Sequence, residues 1–206
     1  MSQKLDQGEL RSMAAMWASI VCLQATRLED ALDRFHEAWT DDQFRKDIED
    51  AGSPAEWADV AANSYTESLT PEDITTLAAD KYFFLLAARQ LLKFIDLLPR
   101  DNLPRFKDAK LMRLLRDLED HWENPGGKAA RELRKSIPDI APGRIEYTKK
   151  DISFEGVSLL NILRWAESVD EKVREIATAK GTPIPGDICR SGGSRNLFHR
   201  LRESGG

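Results

Sequence analysis

The chain has 206 residues, 41% of them hydrophobic, and a formal net charge of -5 at pH 7, which suits one domain with a real core. No run approaches the ~18 apolar residues that a membrane span needs, and the nearest candidate for a secretory apolar region, residues 13–25, follows Asp6 and Glu9 and continues into helical periodicity. A soluble, cytoplasmic protein without membrane contact is therefore expected. Cys22 and Cys189 are too few for a disulfide framework and neither lies in a Cys-x-x-Cys or Cys/His cluster, so no metal site and no cofactor are expected.

In chain order, Leu10, Met13, Trp17, Ile20, Leu28, Ala31, Phe35 and Trp39 recur at three- and four-residue steps, which predicts one long amphipathic helix over residues 7–40. Shorter helices over 41–50 and 55–68 are split at Gly52-Ser53-Pro54, the second anchored by Trp57, Ala61 and Tyr65. Thr70-Pro71-Glu72-Asp73 then supplies a hydroxyl cap, a proline at the first helical position and carboxylates at the positive end of the dipole. The helix it opens runs to about residue 98. Its second half is apolar nearly all round, as expected of an element surrounded by others.

After a turn at 99–104, a helix is expected over 105–123, stopped by Asn124-Pro125-Gly126-Gly127. Its inward stripe should be Leu111, Leu115, Leu118 and Trp122, leaving one polar face with Arg113, Arg116, Asp117, Asp120 and His121. Residues 128–136 form a short basic helix, and Pro138 and Pro142 break the chain beyond it. Ile145 and Tyr147, then Ile152 and Phe154, alternate about Thr148-Lys149-Lys150-Asp151 and predict a small hairpin near 144–155. Helical spacing returns from Val157 to Ile176 and ends at Gly181. The domain is thus residues 1–180. Residues 181–206, with six Gly, two Pro and three Ser, read as a flexible basic tail with at most a weak helix at 194–202.

Charge is unevenly placed. Residues 28–80 hold fifteen acids against Arg34, Arg45 and Lys46, a surface suited to a protein partner, whereas residues 128–150 hold seven bases against three acids. A basic segment of this kind is the electrostatic footprint of a polyanion contact, with Arg113, Lys128, Arg131, Arg134 and Lys135 as candidate RNA-binding residues. The alternative is a solvated face on which Arg113 with Asp117 and Arg116 with Asp120 form i,i+4 pairs, each contributing only ~0.3 kcal/mol. His36 reads as a surface histidine, and His199 sits among Arg195, Arg200 and Arg202 of the tail. The five tryptophans lie on apolar faces, where core packing explains them.

The stretch with the most chemistry is Arg116-Asp117-Leu118-Glu119-Asp120-His121. An arginine cannot lose its charge and a histidine titrates near neutrality, so the pair could stabilise a pentavalent phosphate and move its proton. An Arg-x4-6-His spacing alone is expected roughly 0.8 times by chance in this composition, and requiring Asn, Asp or His directly after the arginine lowers that to roughly 0.1. On Arg116, Asp117 and His121, and on its sequence of helices over residues 7–180, the chain resembles the HEPN superfamily, small all-α proteins with an arginine, a polar residue and then a histidine.

That resemblance implies an all-α bundle of four main helices and a metal-independent endoribonuclease acting as a homodimer with its two motifs brought together, of the kind used in toxin-antitoxin or phage-defence systems. His121 would be general acid/base, Arg116 would hold the developing negative charge and Asp117 would orient one of them. RNA would be the substrate, and an antitoxin or other protein the partner of the acidic 28–80 region. The alternative function is a non-catalytic helical protein-interaction module of the same or an unrelated bundle fold.

Overall fold

The structure, a computed structural model, describes residues 5–39, 42–51, 53, 56–57, 59–60, 70–120, 127–136, 145–148, 151–154 and 156–184. Among these residues six helices carry most of the fold: α1 Gln7–Trp39, α2 Asp42–Asp50, α3 Pro71–Leu97, α4 Ala109–Asp120, α5 Lys128–Ser136 and α6 Leu159–Ala179. A 3-10 turn at Pro99–Asp101 follows α3. Before α6 the strands β1 Ile145–Thr148, β2 Asp151–Phe154 and β3 Val157–Ser158 form an antiparallel sheet in that order. The chain is mostly helical, and the hairpin expected near 144–155 is present with a third strand added. Thr148 faces Asp151 across its tip, and Phe154 faces both Ile145 and Val157. Gly156, at φ 82°, makes the reversal between β2 and β3.

Packing is organised around α1, which lies against both α3 and α6. Its inward surface is Ala14, Ala15, Ala18, Val21, Cys22, Ala25, Leu28, Ala31 and Leu32, all buried. Of the line that periodicity marks, Leu10, Leu28 and Ala31 are buried, Met13, Trp17 and Ile20 sit partly buried at the rim, and the buried surface extends well beyond that line. The reason is that a helix with neighbours on two sides buries more than one stripe, and alanines let both neighbours approach closely. Cys22 on this face is disulfide-bonded. The other cysteine, Cys189, lies outside the described residues.

The start of α3 has the expected cap in full. Asp73 N–H donates to Thr70 Oγ1 at 3.2 Å and Thr70 N–H donates to Asp73 Oδ2 at 3.0 Å, with Pro71 in the first turn. The Thr70 hydroxyl, above all, holds the Asp73 carboxyl below its ordinary value. From there α3 runs antiparallel to α1, as Arg27 meets Asp80 at 3.0 Å and Arg34 meets Asp73 at 3.2 Å. Asp80 is buried, so this part of the acidic 28–80 region is used inside the fold. Much of the remainder of that region, including Ala61 and Tyr65, lies outside the described residues, as do the predicted helix at 194–202 and His199.

The far end of the domain is fastened by a buried ion pair. Arg11 of α1 donates to Asp101 of the 3-10 turn from Nε at 2.6 Å and from a terminal nitrogen at 2.9 Å, with side chains 6% and 4% exposed. Lys180, just past α6, reaches the same carboxylate at 3.7 Å. Residues 103–108 then form a loop rather than the expected first turn of α4. Phe106 packs on Trp165 of α6 with ring centroids 5.1 Å apart, and Trp165 Nε1–H donates to Pro104 O at 3.0 Å. The helix α6 is capped by Ser158 Oγ, which accepts from Asn161 N–H, and ends at Gly181 (φ 74°) with Thr182 N–H donating to Ala177 O.

Because both charges of the Arg11–Asp101 pair are out of water, removing one strands the other. Asp101→Ala should cost about 3–5 kcal/mol in urea unfolding, while the apolar double variant Arg11→Met/Asp101→Leu should recover much of that loss. The hydrogen bond from Arg11 holds Asp101 below its ordinary value of 3.8. A carboxylate with a depressed folded-state pKa stabilises above its unfolded value and loses that contribution as pH falls through the folded one. Wild type should therefore lose stability faster than Asp101→Asn in melts taken below about pH 4. For Cys22, thiol alkylation of the denatured protein followed by mass spectrometry should label it only after reduction.

Candidate functional site

The candidate residues lie on α4 and α5, which pack on each other, and α4 rests in turn on α3. Within α4 the most buried residues are Met112 and Leu115, with Leu111 and Leu114 partly buried. The inward face thus includes Met112 beside Leu111 and Leu115 of the expected stripe. At 100° per residue Arg116 lies about 40° from Met112. That widening follows from α4 being covered on two sides, and it leaves the Arg116 side chain 25% exposed rather than on an open face. Asp117, at 42% exposure, comes to 3.8 Å from the Arg116 guanidinium. His121 lies outside the described residues, as does Trp122.

Arg113 does not take the i,i+4 partner that spacing suggested. It donates to Asp96 Oδ2 on α3 at 2.8 Å, and Arg105 donates to the other oxygen of the same carboxylate at 3.0 Å. Asp96 is half exposed, so the pairs are screened by water, but the Arg113 charge is offset where it stands. The bases of α5 are placed differently. Lys128, Arg131, Arg134 and Lys135 are all exposed, while Ala130 and Leu133 on the opposite side of the helix are buried. Lys135 donates to Glu132 at 3.1 Å and is the main cause of that carboxyl lying below its ordinary value. Lys110 and Lys128 act on Glu132 in the same direction.

The sequence reading missed two members of this surface. Lys110 joins the bases through its position on α4 beside α5, and nothing in its own neighbourhood marks it. Asp96 governs Arg105 and Arg113 from another helix, and its only sequence signal is a carboxylate among the apolar residues at the end of α3. No cluster of His, Cys, Asp or Glu suited to a metal ion occurs among the described residues, and no described helix is long and apolar enough to cross a membrane. Comparison with known proteins gives no match to a family model, a curated protein or a solved structure.

The Asp96 pairs are exposed, so their contribution to the fold should be small. Asp96→Ala should change unfolding free energy by less than about 1 kcal/mol, and the difference should shrink further in high salt. A larger, salt-independent loss in chemical denaturation would mean that Asp96 clamps α3 to the segment before α4.

Proposed function

We propose that the α4–α5 hairpin is an RNA-contacting surface and that the protein is a HEPN-like, metal-independent endoribonuclease. One observation carries the reading. The helix bearing Arg116, with Asp117 beside it, packs against a short helix whose exposed side is Lys128, Arg131, Arg134 and Lys135. Bases on one side of a helix hold a phosphate backbone without reading its sequence, and the adjoining Arg116 would act on one of its phosphates.

In the chemistry proposed, His121 accepts the proton of a ribose 2′-hydroxyl as that oxygen bonds to the adjacent phosphorus. The bond from phosphorus to the 5′-oxygen breaks and that oxygen gains a proton, leaving a 2′,3′-cyclic phosphate and a 5′-hydroxyl. Arg116 offsets the charge that builds on the phosphoryl oxygens, and Asp117 sets the guanidinium's orientation. Two motifs in one homodimer, on a HEPN-like bundle of four main helices, complete the reading, with toxin-antitoxin or phage-defence systems as the setting. A second reading, a non-catalytic protein-interaction module, is favoured by the carboxylates on Arg113 and beside Arg116, which offset the charge a phosphate would need.

Incubation of purified protein with varied RNAs in EDTA separates the two. Wild type should cleave, and Arg116→Ala and His121→Ala should each reduce the rate by about 10²–10⁴-fold. Replacing Lys128, Arg131, Arg134 and Lys135 with Gln should weaken RNA binding and make it less sensitive to salt, lowering the slope of log affinity against log salt by about 0.7 for each phosphate released. No cleavage by wild type, or equal cleavage by all variants, would leave the interaction module as the function.

A further inference from the structure

The outer side of α1 carries a second pattern. Glu9, Met13, Met16, Ile20, Leu23 and Arg27 follow one another at steps of four, three, four, three and four residues, the spacing of a coiled-coil seam. At 100° per residue all six fall within about 80° of the helix circumference. The faces of α1 that meet α3 and α6 hold its alanines and buried leucines, and the seam runs along their edge, with Met13 and Ile20 packed against the core. Met16 is 41% and Leu23 48% exposed. Glu9 and Arg27 are exposed, and Met13 and Ile20 are partly buried along the rim.

The seam also reads as its own complement when reversed. About the level of residue 18, Met16 and Ile20 exchange places, as do Met13 and Leu23, and Glu9 exchanges with Arg27. Two copies laid antiparallel would therefore stack four apolar layers and close each end with a carboxylate opposite a guanidinium. A parallel arrangement would instead set Glu9 on Glu9 and Arg27 on Arg27. Neither charged end is exhausted within the chain. Arg27 holds Asp80 at 3.0 Å with its side chain still 58% exposed, and one Glu9 oxygen accepts from Asp6 N–H, which leaves the other.

We propose that α1 pairs antiparallel with α1 of a second copy of this chain through that seam, forming a two-fold dimer. The seam is about 27 Å long from Glu9 to Arg27. It puts a two-fold on α1, a different surface from the motif-to-motif contact that the ribonuclease reading requires, so the two contacts are tested separately.

Sedimentation velocity of the full chain across the micromolar range tests it. Wild type should show a monomer–dimer equilibrium. Met16→Glu/Leu23→Glu should weaken it at least tenfold with an unchanged far-ultraviolet circular dichroism spectrum, since both side chains face solvent in the monomer. Glu9→Arg should weaken dimerisation several-fold, because it sets a guanidinium against Arg27 at each end of the seam, and Glu9→Asp should not. A wild type that stays monomeric, a dimer that survives Met16→Glu/Leu23→Glu, or a dimer unaffected by Glu9→Arg would overturn the proposal. Dimers that survive the seam changes but dissociate in Arg116→Ala would place the two-fold on α4 instead.

Discussion

The burial of α1 from two sides is the constraint on which the other elements depend. A helix of 33 residues between α3 and α6 has to present small side chains over more than half its circumference, and the run of alanines from Ala14 to Ala31 does so. Close approach then fixes how α3 lies, since Arg27 and Arg34 find Asp80 and Asp73 only in an antiparallel arrangement. At the opposite end Arg11, a charge within the same buried surface, forces the 3-10 turn to bring Asp101 inward. The packing is thus set by shape along the helix and by a desolvated charge at its end.

Everything that bears on function is one step removed from that framework. The helix α4 rests on α3 and carries α5, so its orientation is set by neighbours on two sides rather than by its own amphipathic pattern. This turns Arg116 toward the flank of the buried face and leaves α5 to present the bases. Electrostatically the surface is mixed, because Asp96, Asp117 and Glu132 each stand beside a base.

Much of the fold could be read from local signals. Thr70, Pro71 and Asp73 marked the start of α3 because a cap is a matter of three adjacent residues, and Gly181 marked the end of α6 because a left-handed turn needs glycine. The alternation of Ile145, Tyr147, Ile152 and Phe154 located the hairpin for a similar reason, each residue reporting on its own strand. Of the candidate site, the bases of α5 were legible, as charged residues on a short helix have little choice but to face water. The environment of Arg116 and the partner of Arg113 were not, since both are decided by helices distant in sequence.

What the sequence determined by itself is most of the elements and their ends, and the residue types at Arg116, Asp117 and His121 on which the proposed chemistry rests. How far round each helix the burial extends was decided only by the tertiary structure. Periodicity identifies an apolar stripe but cannot count the neighbours a helix will have. With two neighbours α1 turned its alanines inward and left Met16 and Leu23 in solvent, and α4 turned Arg116 toward cover. The Arg11–Asp101 pair belongs to the same class, because an ion pair spanning 90 positions has no signature in either local sequence.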